Sequence, residues 1–270
     1  MRIAAGVEYD GSGFCGWQTQ PHRCGVQDAV ESAVSRIAGH PVAAICAGRT
    51  DSGVHALAQV IHFDTAAERP TSAWMHGVNA LLPTSIAVIW AQPVSIEFHA
   101  RFHATERRYR YVLCNRPLRP ALERYRAGWY HRPLDIEAMR SAARFLIGEY
   151  DFSAFRAAEC QARSPVRDLR SIEIERHGDY VVFEFSANAF LHHMVRNIVA
   201  CLVYVGAAKH PPQWLQEILV GRDRNAAGPT FSAAGLYLAD VTYDSSWGLP
   251  AFPPSAFFGD LTVAANQRQD

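Results

Sequence analysis

Lysine is nearly missing from this sequence: Lys209 is the only one, so arginine supplies almost all of the positive charge. Long apolar runs are missing too. None approaches the roughly 20 residues that span a bilayer as a helix, so no membrane partner is expected. No two cysteines stand in a CxxC pair. The six (Cys15, Cys24, Cys46, Cys114, Cys160, Cys201) are scattered, and a reduced, cytoplasmic protein is the simplest expectation. Met1 to Gly6 lacks the layout of a signal peptide and reads directly as a strand. Gly11-Ser12-Gly13 is not followed by the Lys-Ser/Thr pair of a phosphate loop, so no nucleotide cofactor is expected.

Apolar residues make up 49% of the chain and charged ones 19%, the balance of a globular protein able to bury one large core or two moderate ones. A net charge of zero argues at first against a nucleic-acid partner. The distribution argues the other way. Between Arg101 and Arg170 stand 15 arginines and 8 acidic residues, a local excess of 7 positive charges. Arginine in place of lysine is explained equally well by genome composition or by phosphate binding; the clustering favours a polyanion.

The hydrophobic pattern is drawn twice. Arg2–Tyr9 alternates like a strand, and Val26, Ala29, Val30, Ala33, Val34 and Ile37 recur at helical spacing up to Gly39. Strands near 42–46 and 56–63, a helix over 72–81 and a strand at 86–90 complete β-α-β-β-α-β. The second half repeats the order: a strand at 109–113, a helix at 136–147, a hairpin around His177-Gly178-Asp179, helices at 190–205 and 212–219, and a strand at 236–241. The expected fold class is α+β. Two tandem ferredoxin-like units would join into one broad, mainly antiparallel sheet with a central RNA-binding cleft. The expected divisions are residues 1–100, 101–245 and a Pro/Phe-rich tail at 246–270.

The densest chemical signal is Gly48-Arg49-Thr50-Asp51-Ser52-Gly53-Val54-His55-Ala56, between two expected strands. Asp51 either caps a local N–H in a turn or is a carboxylate held ionised at the mouth of a cleft, with burial and a nearby arginine opposing each other. Arg196 interrupts an apolar helix, where a charge needs a partner. Cys46, just before the loop, reads as a small buried apolar residue. His192-His193 invites a zinc reading, but neighbours on a helix point apart and no third ligand is evident, so no metal is expected.

Several motifs extend this signal along the chain. They are Tyr9-Asp10-Gly11 with Gly16-Trp17-Gln18, the Asp51 loop, and Phe98-His99-Ala100-Arg101. Arg107-Arg108-Tyr109-Arg110-Tyr111, Asp151-Phe152-Ser153-Ala154-Phe155-Arg156, His193-Met194-Val195-Arg196-Asn197 and Gly235-Leu236-Tyr237-Leu238 follow. In joint order and spacing, nearly end to end, the sequence resembles the bacterial tRNA pseudouridine synthase A family. Ser52 stands where that family more often has alanine, and Phe231-Ser232 where it has small residues or proline.

The resemblance implies that Asp51 is the catalytic aspartate, attacking C1′ of a uridine or acting as base in a glycal route. Either way the uracil detaches, turns and rejoins the ribose through C5, with no cofactor. It implies that Tyr109 stacks on the flipped base and that Arg196 pairs with Asp51. Arg49 would meet phosphate or hold the loop. Arg69, Phe98, His99, Ala100, Arg101, Phe102, Tyr130, Glu159, Cys160, Gln161, Ala162 and Arg163 match tRNA-contacting segments. It further implies a homodimer acting on tRNA at positions 38, 39 and 40 of the anticodon arm. The tail resembles the ends of close bacterial members and would pack on a partner subunit or remain disordered. Two rivals remain: a non-catalytic RNA-binding protein of two ferredoxin-like units, and a hydrolase with Asp51 as nucleophile.

Overall fold

The computed structural model describes residues 1–253, so the tail expected at 246–270 lies outside the described residues from 254 on. Two compact units divide the chain: Met1–Arg108 with Tyr237–Pro253, and Tyr109–Leu236 among the described residues. Among the described residues ten strands, mainly antiparallel, and four α-helices make the α+β class observed.

In the first unit, β1 (Arg2–Tyr9), α1 (Val26–Ala38), β2 (Ala44–Cys46), β3 (His55–Asp64) and β4 (Ile86–Val94) follow in sequence. β1 pairs antiparallel with both β3 and β4, and β2 pairs antiparallel with β3. The spatial order 4-1-3-2 is that of a ferredoxin-like unit. As the central strand, β1 is buried along most of its length rather than on alternate residues, which its polar-looking Arg2 and Glu8 conceal. The α1 helix starts where the Asp28 carboxylate accepts from Gly25 N–H and ends at Gly39, whose φ of 75° turns the chain off. Val26, Val30, Ala33, Val34 and Ala38 form its buried face.

The helix expected over 72–81 is present over 71–79, widened to π-type at Ala73–Gly77. Two contacts shape this stretch. Trp74 is buried edge-on against Phe63, and the Asn79 amide clamps Val88 of β4 through two hydrogen bonds of 2.9 and 2.7 Å.

The second unit carries most of β5 (Ala104–Asn115), then β6 (Gly128–Tyr130), α2 (Ile136–Ala143), β7 (Gly148–Asp151), β8 (Val166–His177), β9 (Tyr180–Ala187), α3 (Met194–Gly206) and α4 (Trp214–Gly221). Its strands run in the order β5-β9-β8-β7, with β6 beside β5. β8 and β9 form the hairpin expected around Gly178, whose φ is 59°. α3 is buried over nearly its whole length and packs on α2. β10 (Leu236–Tyr243) follows, and from Tyr237 it belongs to the first unit, where it pairs in parallel with β3.

One expectation is overturned. The cysteines are not all reduced: Cys15 and Cys24 form a disulfide, with Cα atoms 5.4 Å apart. They stand nine positions apart in sequence, but Cys15 N–H donates to Cys24 O at 2.9 Å, which brings the two side chains face to face. No CxxC spacing announces such a pair.

Candidate active site

The loop between β2 and β3 is braced by residues of the first unit. Thr50, buried, shares a 2.7 Å hydrogen bond with the Tyr9 hydroxyl. Burial pushes the Tyr9 phenol well above its ordinary range, against hydrogen bonding from Thr50 and Gln59. The Gln59 amide closes the loop's entrance, donating to Gly48 O at 2.7 Å and accepting from Gly48 N–H at 3.4 Å. The Arg107 guanidinium, 8% exposed, donates to Ala47 O, Ala104 O and Arg101 O at 3.1, 2.8 and 2.5 Å. Its role is therefore interior: it organises carbonyls and not phosphates.

Asp51 stands at the turn itself, half-buried, between buried Thr50 and exposed Ser52. Val54 N–H donates to Asp51 O at 3.1 Å, and Gly53 takes a φ of 77° that a side chain would disfavour. Below the loop runs the Gly16-Trp17 segment. Trp17 N–H donates to Thr50 O at 3.0 Å, and a Cβ on Gly16 would lie 2.7 Å from that same oxygen. The Ser52 hydroxyl donates to Phe14 O at 3.2 Å. A carboxylate is thus presented on a backbone fixed before and after it, the preorganisation that a reacting group needs. Arg49 is exposed on the same loop. Cys46 is buried, its thiol pushed up to about 12, and that leaves it inert as a nucleophile.

The stretch 98–102 splits by burial. Phe98 and Ala100 are fully buried, whereas Arg101 and Phe102 face solvent, Phe102 being 74% exposed. Histidines hold this stretch by accepting backbone N–H groups through Nδ1: His62 from Ala100, and His99 from both Arg101 and Phe102. Phe102 then stacks on His99 with ring centres 4.2 Å apart. Arg69 is exposed, and its Nε donates to Ile37 O near the end of α1.

In the second unit, Tyr109 is buried on β5 and meets Phe190 edge-on at 5.0 Å. Arg196 is half-buried on α3, and its Nε donates to Phe231 O at 2.9 Å. Its neighbour Asn197, fully buried, donates to Phe155 O and accepts from Thr230 Oγ1 and Arg224. That network fixes the helix turn carrying Arg196. Tyr130 is half-buried on β6, its carbonyl taken by Asn115. In the segment 159–163, Glu159, Gln161 and Arg163 are exposed, while Cys160 and Ala162 are partly covered.

His192 and His193 do not point apart as neighbours on a helix would. Both precede α3, and His193 takes a left-handed φ of 64° that brings the two rings to 4.0 Å. The sequence reading assigned no role to Thr50, Gln59, His62 or Asn197. For Thr50 and Asn197 a signal was present, since each sits inside a motif already singled out. Gln59 and His62, on β3, carried none.

A carboxylate on a braced loop in a ferredoxin-like unit is the kind of preorganised group that an enzyme presents. Comparison with known proteins makes the class specific. The family model for tRNA pseudouridine synthase matches residues 5–103 and 142–244. The tRNA pseudouridine synthase A of Thiobacillus denitrificans is 61% identical over 250 residues, covering 93% of this chain and 96% of that protein. That of Methylobacillus flagellatus is 56% identical with the same coverage, and that of Nitrosomonas eutropha 57% identical over 252 residues, covering 93% and 91%. The chain belongs to the tRNA pseudouridine synthase family, a family of isomerases.

Proposed function

We propose that this protein converts uridine to pseudouridine at positions 38, 39 and 40 of the tRNA anticodon arm, with Asp51 as its catalytic residue. The observation that carries the reading is the bracing of the Asp51 turn by Tyr9–Thr50, Gln59 and Trp17 within a chain of this family. In the reaction the N1–C1′ bond breaks and a C5–C1′ bond forms. The C5 proton is lost to water and N1 regains one, so the RNA keeps its mass. Asp51 either forms the bond to C1′ that holds the ribose or removes a ribose proton to make a glycal.

Tyr109 takes the family's stacking role, and Arg196 the role of charge partner to the catalytic carboxylate. Arg101, Phe102 and Arg163 offer exposed cations and an aromatic face to RNA; Arg49, Arg69, His99, Tyr130, Glu159, Cys160, Gln161 and Ala162 complete the RNA-contacting segments. Phe98 and Ala100, being buried, serve by shaping the strip that carries Arg101 and Phe102. The protein works as a cytoplasmic homodimer. Among the described residues no helix is long and apolar enough to cross a membrane.

The test is tritium release from tRNA labelled at uridine C5, with mapping of the modified positions. Release at 38–40 alone supports the reading. Tight tRNA binding with no release would favour the RNA-binding rival, and loss of a free base the hydrolase.

A further inference from the structure

The Cys15–Cys24 disulfide lies under the Asp51 loop, and no part of the proposed reaction uses it. Cys15 is exposed and Cys24 half-buried, and every residue from Thr19 to Arg23 is exposed. The other cysteines differ. Cys46, Cys114 and Cys201 are buried, with burial pushing the Cys46 and Cys201 thiols up to about 12 and about 11. Cys160, half-exposed, lies in the other unit.

Both limbs of the bridged segment are structural. On the first, Phe14 O accepts from Ser52, Gly16 packs on the carbonyl of Thr50, and Trp17 N–H donates to that carbonyl. On the second, Val26 and Gln27 at the start of α1 donate to Gly16 O and Trp17 O, each at 3.0 Å. The segment is a wedge between α1 and the catalytic turn, and the disulfide closes it at its solvent edge.

We propose that Cys15 and Cys24 are a redox modification site, opened and closed by small thiols of the glutathione class, that sets how firmly the Asp51 turn is held. A glutathione thiolate attacks the exposed Cys15 sulfur. The S–S bond breaks, and Cys24 leaves as a thiolate and takes up a proton. A second thiolate attacks the mixed disulfide and releases Cys15, so two thiols give up two electrons and depart as glutathione disulfide. The reverse exchange with glutathione disulfide closes the bridge. Intracellular disulfides in mesophiles are usually transient and redox-sensing, and an accessible bridge beside a reactive loop suits that use. The effect on turnover rests on the Asp51 reading; the exchange itself does not.

The test equilibrates the whole protein in graded mixtures of glutathione and its disulfide, traps thiols by alkylation, and maps linked peptides by mass. The expected result is a reversible transition confined to the Cys15–Cys24 pair. In the same samples kcat/KM for tritium release should be higher in the linked form, by roughly tenfold, below the ~100-fold that misplacing a reacting group costs. A Cys15→Ser/Cys24→Ser double variant should show the lower value at every mixture. Absence of the link at any ratio, or equal kcat/KM in both forms, overturns the proposal. Failure of the Asp51 reading would instead appear as turnover by Asp51→Asn, with the mapped link unaffected.

Discussion

The Tyr9 hydroxyl lies 2.7 Å from Thr50 Oγ1 in the interior of the first unit, tying β1 to the residue before Asp51. Tyr9→Phe removes one partner and strands the other in a buried site, which costs about 1–3 kcal/mol. The expected outcome is a lower denaturant midpoint together with a fall in kcat larger than any rise in KM, because the turn presenting the carboxylate loosens. Thr50→Val should do the same. In a double-mutant cycle the two changes should be less than additive, as expected for partners in one bond.

His62 links stability to acid. Burial, followed by the charge of Arg2 and then His99, lowers its pKa to about 4 from 6.5. Between those values the unfolded chain binds the proton and the folded protein does not. Stability from this group is therefore fully present above pH 6.5 and is lost as pH falls toward 4. The loss is at most about 3 kcal/mol. Urea melts across pH 4 to 7 should show that slope, and His62→Asn, which keeps an acceptor for Ala100 N–H, should flatten it.

Four arginine substitutions separate RNA contact from internal support. Arg101→Gln or Arg163→Gln should reduce the log–log salt slope of tRNA affinity by about 0.7–0.9 each, as expected for a lost phosphate contact. Arg107→Gln removes a guanidinium bonded to three carbonyls; it should lower the melting temperature and leave the salt slope unchanged. Arg196→Gln should also leave the slope unchanged while turnover falls. Filter binding over a salt series, run beside tritium release, distinguishes these outcomes.

Isomerisation moves no electrons and uses no activated donor. Dialysis against EDTA, with monovalent salt sufficient to keep the tRNA folded, should leave turnover within about twofold, since the proposed reaction calls for no metal-activated water. Loss that only one divalent ion restores would reveal a metal dependence.

Much of the arrangement was legible in the sequence because local rules carry it. The Asp51 loop stood out through two glycines around an Arg-Thr-Asp run, and Gly39 and Gly178 marked a helix end and a hairpin. What escaped depends on contacts between distant residues. β1 looked half-exposed because its place at the sheet's centre follows from pairing with β3 and β4. The π-type widening at 73–77 inside the expected helix lies beside the buried Trp74, which meets Phe63. The Cys15–Cys24 pair is made by a backbone bond that closes a loop, not by cysteine spacing. His62 braces Ala100 from 38 residues away, and no motif announces it.

Asp51 is the centre of this account, and Asp51→Asn tests it most directly. The substitution keeps the side chain's size and an amide oxygen, and alters neither the Tyr9–Thr50 bond nor the Trp17 link to Thr50 O. Fold and tRNA affinity should persist, read by melting and filter binding. Single-turnover tritium release should fall by more than about 1,000-fold, a barrier increase above roughly 4 kcal/mol. Release within tenfold of the unaltered protein would contradict the assignment of Asp51 as the catalytic residue.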